Sequence, residues 1–237
     1  MSRIFITGDT HYDINISKFK RKNFEISTGI NFNDITKDDY MIVCGDFGLI
    51  WHSEEKKHKE NFLIKYYKDK PWTTLFIDGN HENFDRLNEY PIEIWNGGKI
   101  HRISDSIIHL MRGQIFNIKN KTFFTMGGAT SVDKPYRIPH ISWWPQELPS
   151  YNEYNEALDS LEKVNYKVDY IISHCCSSSI QKQLLVNEFS ITTDDLNKFF
   201  DNLEDNVNFN HWYFGHYHLD KNINNKHTTL YNEIILI

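Results

Sequence analysis

Asp9 and His11, Asp46, the run Asn80-His81-Glu82, His174, and the pair His216 and His218 are the side chains here whose types and spacing could hold metal ions. In an extended segment, residues i and i+2 point to the same side, so Asp9 with His11 could grip one ion, as could His216 with His218. Together the set supplies two carboxylates, an amide oxygen and four imidazoles, with His81 in addition. Mixed oxygen and nitrogen donors without thiolate suit Mn, Fe, Zn or Ni. A carboxylate has two oxygens that point apart, so one Asp can bridge a pair of cations about 3.5–4 Å apart.

Each cluster follows a short apolar run. Arg3–Thr7 leads into Gly8-Asp9-Thr10-His11, and Tyr40–Cys44 into Gly45-Asp46. Thr73–Asp78 leads into Gly79-Asn80-His81-Glu82, Val168–Ser173 into His174, and Trp212–Phe214 into Gly215-His216-Tyr217-His218. Short runs rich in β-branched and aromatic residues, most of them ending on glycine, read as buried strands. Loops beyond the carboxyl ends of strands form the ligand crevice of α/β proteins. The donors are therefore expected at one sheet edge.

The chain has 237 residues, 40% of them hydrophobic and 15% aromatic, which suits a sizeable core and most simply one domain over 1–237. No apolar stretch approaches the roughly 20 residues that span a bilayer, so no membrane association is expected. A strand within three residues of the N-terminus, with no charged-then-apolar leader, gives no secretion signal. The three cysteines Cys44, Cys175 and Cys176 cannot all pair within the chain, and the expected compartment is the reducing cytoplasm. A net charge of −6 disfavours long nucleic acid, whose binding depends on Lys and Arg neutralising phosphates. A local cationic centre can still draw small phosphorylated substrates.

Elsewhere, residues 53–69 carry Phe62, Leu63, Tyr66 and Tyr67 at helical spacing, with a charged stretch from Glu54 to Glu60 that reads as a solvated face. A short helix is expected after His81. Residues 99–103, 107–110, 114–118 and 122–126 read as strands, with a turn at Asn120-Lys121. Ser150 and Glu153 form a capping-box pattern ahead of the stripe Tyr154, Ala157, Leu158 and Leu161. A further helix begins near Thr193, residues 226–231 and 233–237 are β-like, and Asn222–Asn225 reads as a turn.

In this order, Asp-x-His, Gly-Asp, Gly-Asn-His-Glu, an isolated His and Gly-His-x-His resemble the motifs of the calcineurin-like metallophosphoesterases, from Gly8 to His218. The resemblance implies a four-layer αββα sandwich of two mixed β-sheets flanked by helices, with the metal site at the carboxyl ends of strands. It implies two divalent ions, Mn foremost and Fe, Zn or Ni as alternatives. One ion would take Asp9, His11 and His218; the other Asn80, His174 and His216; Asp46 would bridge them. A metal can lower the pKa of water from 15.7 to about 7, and a hydroxide shared by the pair would attack phosphorus in line. His81 is the catalytic candidate, facing the substrate as general acid or transition-state stabiliser. Glu82 reads as structural, at the start of the next helix, where a carboxylate suits the dipole.

The protein phosphatases of that family continue Gly-Asp with x-x-Asp-Arg-Gly. Here Leu49 and Ile50 stand at the Asp and Arg positions, which argues against phosphoprotein substrates and for a small phosphorylated metabolite or nucleotide. A phosphoprotein phosphatase is the alternative, a nuclease a third, and a non-catalytic metal-binding scaffold of the same fold the alternative outside enzymes. Residues 127–149 are the candidate substrate-binding segment, with Arg137 the first phosphate contact and Lys134 and Tyr136 beside it. Trp143 and Trp144 could stack on a base or cover the core. Composition leaves the oligomeric state open.

Overall fold

The computed structural model describes residues 2–185 and 193–237. Strands β1 (Ile4–Thr7), β2 (Tyr40–Val43), β3 (Thr73–Phe76), β4 (Ile92–Trp95), β5 (Gly98–Ser104) and β6 (Ile107–Leu110) lie in one sheet. Strands β7 (Gln114–Ile118), β8 (Lys121–Met126), β9 (Tyr170–Ser173), β10 (His211–Phe214), β11 (Lys221–Asn224) and β12 (His227–Thr229) form the second, and β13 (Ile235–Leu236) returns to the first. The orders are β13-β1-β2-β3-β6-β5-β4 and β11-β12-β10-β9-β8-β7. Both sheets have a parallel centre, β1-β2-β3-β6 and β8-β9-β10-β12, and antiparallel edges.

Period-two alternation explains the layering. Ile4 and Ile6 of β1, Ile42 of β2 and Leu75 of β3 join Phe116, Phe123, Ile172 and Tyr213 in the core between the sheets. Their neighbours Phe5, Met41, Val43 and Phe76 face the other way and pack with Phe24, Leu63 and Leu87. Those three belong to helices α1 (Arg21–Thr28), α2 (Asn61–Lys68) and α3 (Phe84–Leu87). On the far side, Phe124, Ile171, Trp212 and Phe214 pack with Leu161, Ile180 and Phe200. These come from α4 (Tyr151–Lys163), α5 (Ser178–Leu184) and α6 (Asp195–Asn206). Three buried clusters separated by two sheets make the expected αββα sandwich, and strands covered on both faces read as continuous apolar runs.

The Ser150 capping box is formed: the hydroxyl accepts from the Glu153 N–H, and the Glu153 carboxylate accepts from the Ser150 N–H at 2.7 Å. Ser150→Ala is expected to destabilise the fold by about 1 kcal/mol in urea unfolding, because an N-cap hydroxyl satisfies a helix N–H that has no other partner.

Local expectations failed in four places. Residues 53–69 are not one helix: a 3-10 turn over Glu54–Lys59 precedes α2. Glu60 between them is not on a solvated face but 1% exposed, accepting from the N–H groups of Trp51 and His52 and pairing with Arg86 at 2.7 Å. Asn222–Asn225 is not simply a turn, since Asn222 to Asn224 lie in edge strand β11. Edge strand β4 was not anticipated; its Ile92 and Ile94 face solvent.

Candidate metal centre

Parallel register sets the donors level. Thr7 lies opposite Val43 and Val43 opposite Phe76 in the first sheet; Ser173 lies opposite Phe214 in the second. The chain leaves all five strands at one rim. Asp9, His11, Asp46, Asn80 and His81 come from the first sheet, and His174, His216 and His218 from the second.

The structure brings all of these residues together. Asp9, His11 and His218 have ligating atoms within 4.8 Å of one another, and so do His11, Asp46 and His81. His11 Nε2 and His218 Nε2 are 2.8 Å apart, and His218 Nε2 is 3.4 Å from Asp9 Oδ2. His174 Nε2 lies 3.2 Å from Asn80 Oδ1, with the His216 ring 5.0 Å from the His174 ring. Asp46 sits between the two groups. Its Oδ1 is 3.2 Å from His174 Nε2, and its Oδ2 is 3.6 Å from His11 Nδ1.

The backbone route differs from the expected one. His11, Asp46, His216 and His218 all have positive φ, at 46°, 46°, 68° and 52°. The donors therefore converge through left-handed turns, not through alternation along an extended segment. Such backbone in non-glycine residues is stored strain that surrounding contacts must hold. As a result His216 and His218 do not share one group: His218 joins Asp9 and His11, and His216 joins His174. Glycine is needed where loops cross at close range. A Cβ on Gly79 would overlap Asp46 Oδ1, and one on Gly215 would overlap Asp9 Oδ1.

Electrostatics fit a cation here. Asp9 and Asp46 are 0% and 2% exposed. Burial, with Asp46 nearby and against the pull of His174, pushes the Asp9 carboxyl up to about 7. Burial also works against charge on Asp46, but His174 outweighs it and holds that carboxyl well below its usual range. Burial would lower the His174 imidazole, yet Asp46 lifts it to about 9. Two buried carboxylates facing converging imidazole nitrogens suit divalent cations of the Mn, Fe or Zn class.

The loops are braced from behind, by residues the sequence did not mark. Lys18, 5% exposed, donates to the carbonyls of Gly8, Asp9 and Tyr231, and the Tyr231 ring stacks on His218 at 4.6 Å. Asp78, two residues before Asn80, pairs with Arg112 and lies 3.2 Å from His109. A carboxylate closing an apolar run was the one available signal for it. Glu82 does not open the next helix, which is capped by Asn83. It is buried and accepts from the N–H groups of Phe47 and Gly48, tying the Asp46 loop to the Asn80 loop.

His81 donates its backbone N–H to Asp46 Oδ1 at 2.8 Å and presents its ring to His11 and Trp51. Arg137 lies against that ring at 3.3–3.4 Å while pairing with Asp133 at 2.6 Å. Of the other two candidates, Lys134 covers Trp143 at 4.0 Å, and Tyr136 is 91% exposed. Trp144 covers the core, 1% exposed with its indole N–H on Asp85. Leu49 and Ile50 are buried core residues.

A family model for calcineurin-like phosphoesterases matches residues 2–220. Lariat debranching enzymes are among the curated proteins this chain is similar to. That of Gallus gallus is 26% identical over 176 residues, covering 63% of this chain and 30% of that protein. That of Homo sapiens is 26% identical over 169 residues, covering 62% and 29%. Lariat debranching enzyme A of Xenopus laevis is 24% identical over 205 residues, covering 77% and 35%. The chain thus spans about a third of the length of these relatives. Among solved structures, phosphopantetheinyl hydrolase from Mycobacterium tuberculosis aligns with 99% of this chain and 88% of its own, at 13% identity and a TM-score of 0.41. Among the described residues no helix is long and apolar enough to cross a membrane. With a family match that runs from ahead of Asp9 to beyond His218, and with those loops gathered at one rim, this chain belongs to the calcineurin-like phosphoesterase family.

Proposed function

We propose that this chain hydrolyses phosphoesters of small phosphorylated metabolites or nucleotides, using two divalent cations. The observation that carries this reading is the placement of Asp46, whose two oxygens reach separate groups of imidazoles. Asp9, His11 and His218 would hold one cation, Asn80, His174 and His216 the other, and Asp46 both. Bound there, the cations would acidify water and stabilise charge on phosphoryl oxygens. The chain's own part is to fix these donors by strained turns and buried braces, so that little reorganisation accompanies reaction.

His81 would face the leaving oxygen as donor. Burial pulls its imidazole below the usual range, against Asp46 and with Arg137 adding to the fall. Neutral imidazole still carries one N–H to donate. Arg137, beside it, would hold a phosphoryl oxygen if it turned from Asp133. The net charge of −6 speaks against long nucleic acid. Similarity to debranching enzymes makes a branched diester the alternative substrate.

Hydrolysis of an aryl phosphate monoester and diester, with Mn added after chelator treatment, tests the reading. Activity lost on chelation and restored by Mn supports it; activity indifferent to chelator overturns it. His81→Ala is expected to lower kcat by about 100-fold with metal content unchanged, in line with loss of one positioned proton donor.

A further inference from the structure

Beside the candidate metal centre lies a cleft of about 360 Å³. His11 and His81 form its inner end, Tyr12, Trp51 and His52 its walls, and Ile14, 75% exposed, its mouth. Two larger cavities, of about 660 and 550 Å³, lie elsewhere and touch none of the candidate ligands.

The cleft walls have almost no main-chain hydrogen bonding left to offer. The N–H groups of Trp51 and His52 both donate to Glu60, at 2.9 and 2.7 Å. Their carbonyls accept from Asn83, and that of His52 also from Arg86. The Tyr12 N–H is used by Phe47, the Gly48 N–H by Glu82, and the Tyr12 hydroxyl by Lys59. Apart from polar side-chain atoms such as the Asp13 carboxylate, what remains for a ligand is ring surface. The Tyr12 and His52 rings meet edge to face at 5.2 Å, and Trp51 rests edge to face on buried Trp144 at 5.4 Å. The buried Arg86–Glu60 pair holds the Trp51–His52 segment from behind. Rigid aromatic walls lose little freedom when a flat group stacks on them.

We propose that this cleft is the leaving-group subsite, and that it takes a flat aromatic ring system of nucleobase size. The assignment of its occupant to the substrate rests on the function proposed above; the recognition of a flat ring does not. Its volume is near the low end of the roughly 300–1,000 Å³ of small-molecule sites, which suits one ring system and not an extended chain. Because His11 and His81 line both the cleft and the rim, a ring seated there would lie beside whatever phosphoryl group the rim holds, as the leaving portion of one substrate would. Asp13 at the same cleft places a carboxylate where an anionic leaving group would be repelled and an amino edge accepted.

The test is binding of free adenosine and free ribose to the full chain, followed by ligand-observed NMR, in wild type, Trp51→Leu and His52→Ala. Adenosine should bind and ribose should not, and each variant should weaken adenosine by at least about tenfold, the loss expected when a stacking ring is removed. His52→Ala guards against misfolding of Trp51→Leu, since the His52 ring packs mainly against Tyr12. Equal binding of adenosine and ribose, or affinity unchanged in a folded variant, overturns the proposal. A second arm compares kcat/KM for adenosine 5′-monophosphate and ribose 5-phosphate, which share the leaving oxygen and differ in the base. A preference of at least about tenfold that shrinks in the variants supports the subsite. Adenosine bound as expected with neither ester hydrolysed would overturn the cleft as leaving-group subsite of a 5′-monoesterase and leave the ring site standing, with the aryl ester assay deciding the enzymatic reading separately.

Discussion

Asp46→Asn is expected to lower hydrolysis of an aryl phosphate by more than about 10³-fold, since losing a partner behind a metal ligand already costs 10–100-fold. Metal content should fall with it, because Asp46 stands within 3.2–3.6 Å of a ring nitrogen in each group of donors, between His174 and His11. Oδ1 of Asp46 stands by His174 and Oδ2 by His11, so the substitution removes charge from both sides at once. Asn is the informative replacement. It keeps the volume that packs against Gly79, retains an oxygen to accept the His81 N–H, and tolerates the positive φ of 46° at this position. A folded variant with less than about tenfold loss and full metal content would show that Asp46 does not bridge. Set beside His81→Ala, it separates two kinds of loss: turnover with metal for Asp46, turnover alone for His81.

Why were the donors legible and their supports not? Each donor follows a run such as Ile4–Thr7 or Thr73–Phe76, whose apolar continuity reflects burial on both faces. That pattern survives in the sequence because packing demands it. The strands were legible for the same reason, down to the bounds of β6 and β7; the four-layer sandwich was implied by the family resemblance, and the Ser150 capping box by the spacing of Ser150 and Glu153. The supports are contacts between distant segments. Lys18 reaches Tyr231, Glu82 reaches Phe47, and Glu60 reaches His52, and no local period announces any of them. Glu60 misleads most, since it follows a charged stretch yet lies 1% exposed. Of the four edge strands, β4 and β11 were missed because little in their composition marks a buried face: β4 exposes Ile92, and β11 reads Lys-Asn-Ile-Asn. The turns at His11 and His218 were missed because φ near +50° in a histidine has no compositional mark.

The same reasoning identifies Asp78 as the position where a single change should most weaken the fold. Asp78 and Arg112 are 1% and 6% exposed, and Arg112 Nε donates to Asp78 Oδ2 at 2.8 Å. Burial alone would raise this carboxyl; Arg112 outweighs it and holds it at about 2. Asp78→Ala would leave a buried guanidinium without its counter-charge, which typically destabilises by 3–5 kcal/mol. Arg112 keeps the Gln146 carbonyl at 2.8 Å and a longer approach to half-exposed Glu153, so a value of about 3 kcal/mol is expected. It would be read from the urea midpoint at unchanged slope. Adding Arg112→Met should recover at least about half of the loss, because removing both charges removes the desolvation penalty too. A single-variant loss below about 1 kcal/mol, or losses that simply add, would mean the pair is not coupled. The effect should also reach the rim. Arg112, held by the Asp78 carboxylate, donates to the Gln146 carbonyl at 2.8 Å, and Asn80 donates to Ser131 at 3.1 Å, so the pair joins the end of β3 to the segment carrying Arg137. Asp78→Ala should therefore weaken metal retention even at temperatures where the chain is still folded. Ser150→Ala, whose hydroxyl meets Glu153 and no candidate ligand, should leave retention unchanged at a matched fraction folded.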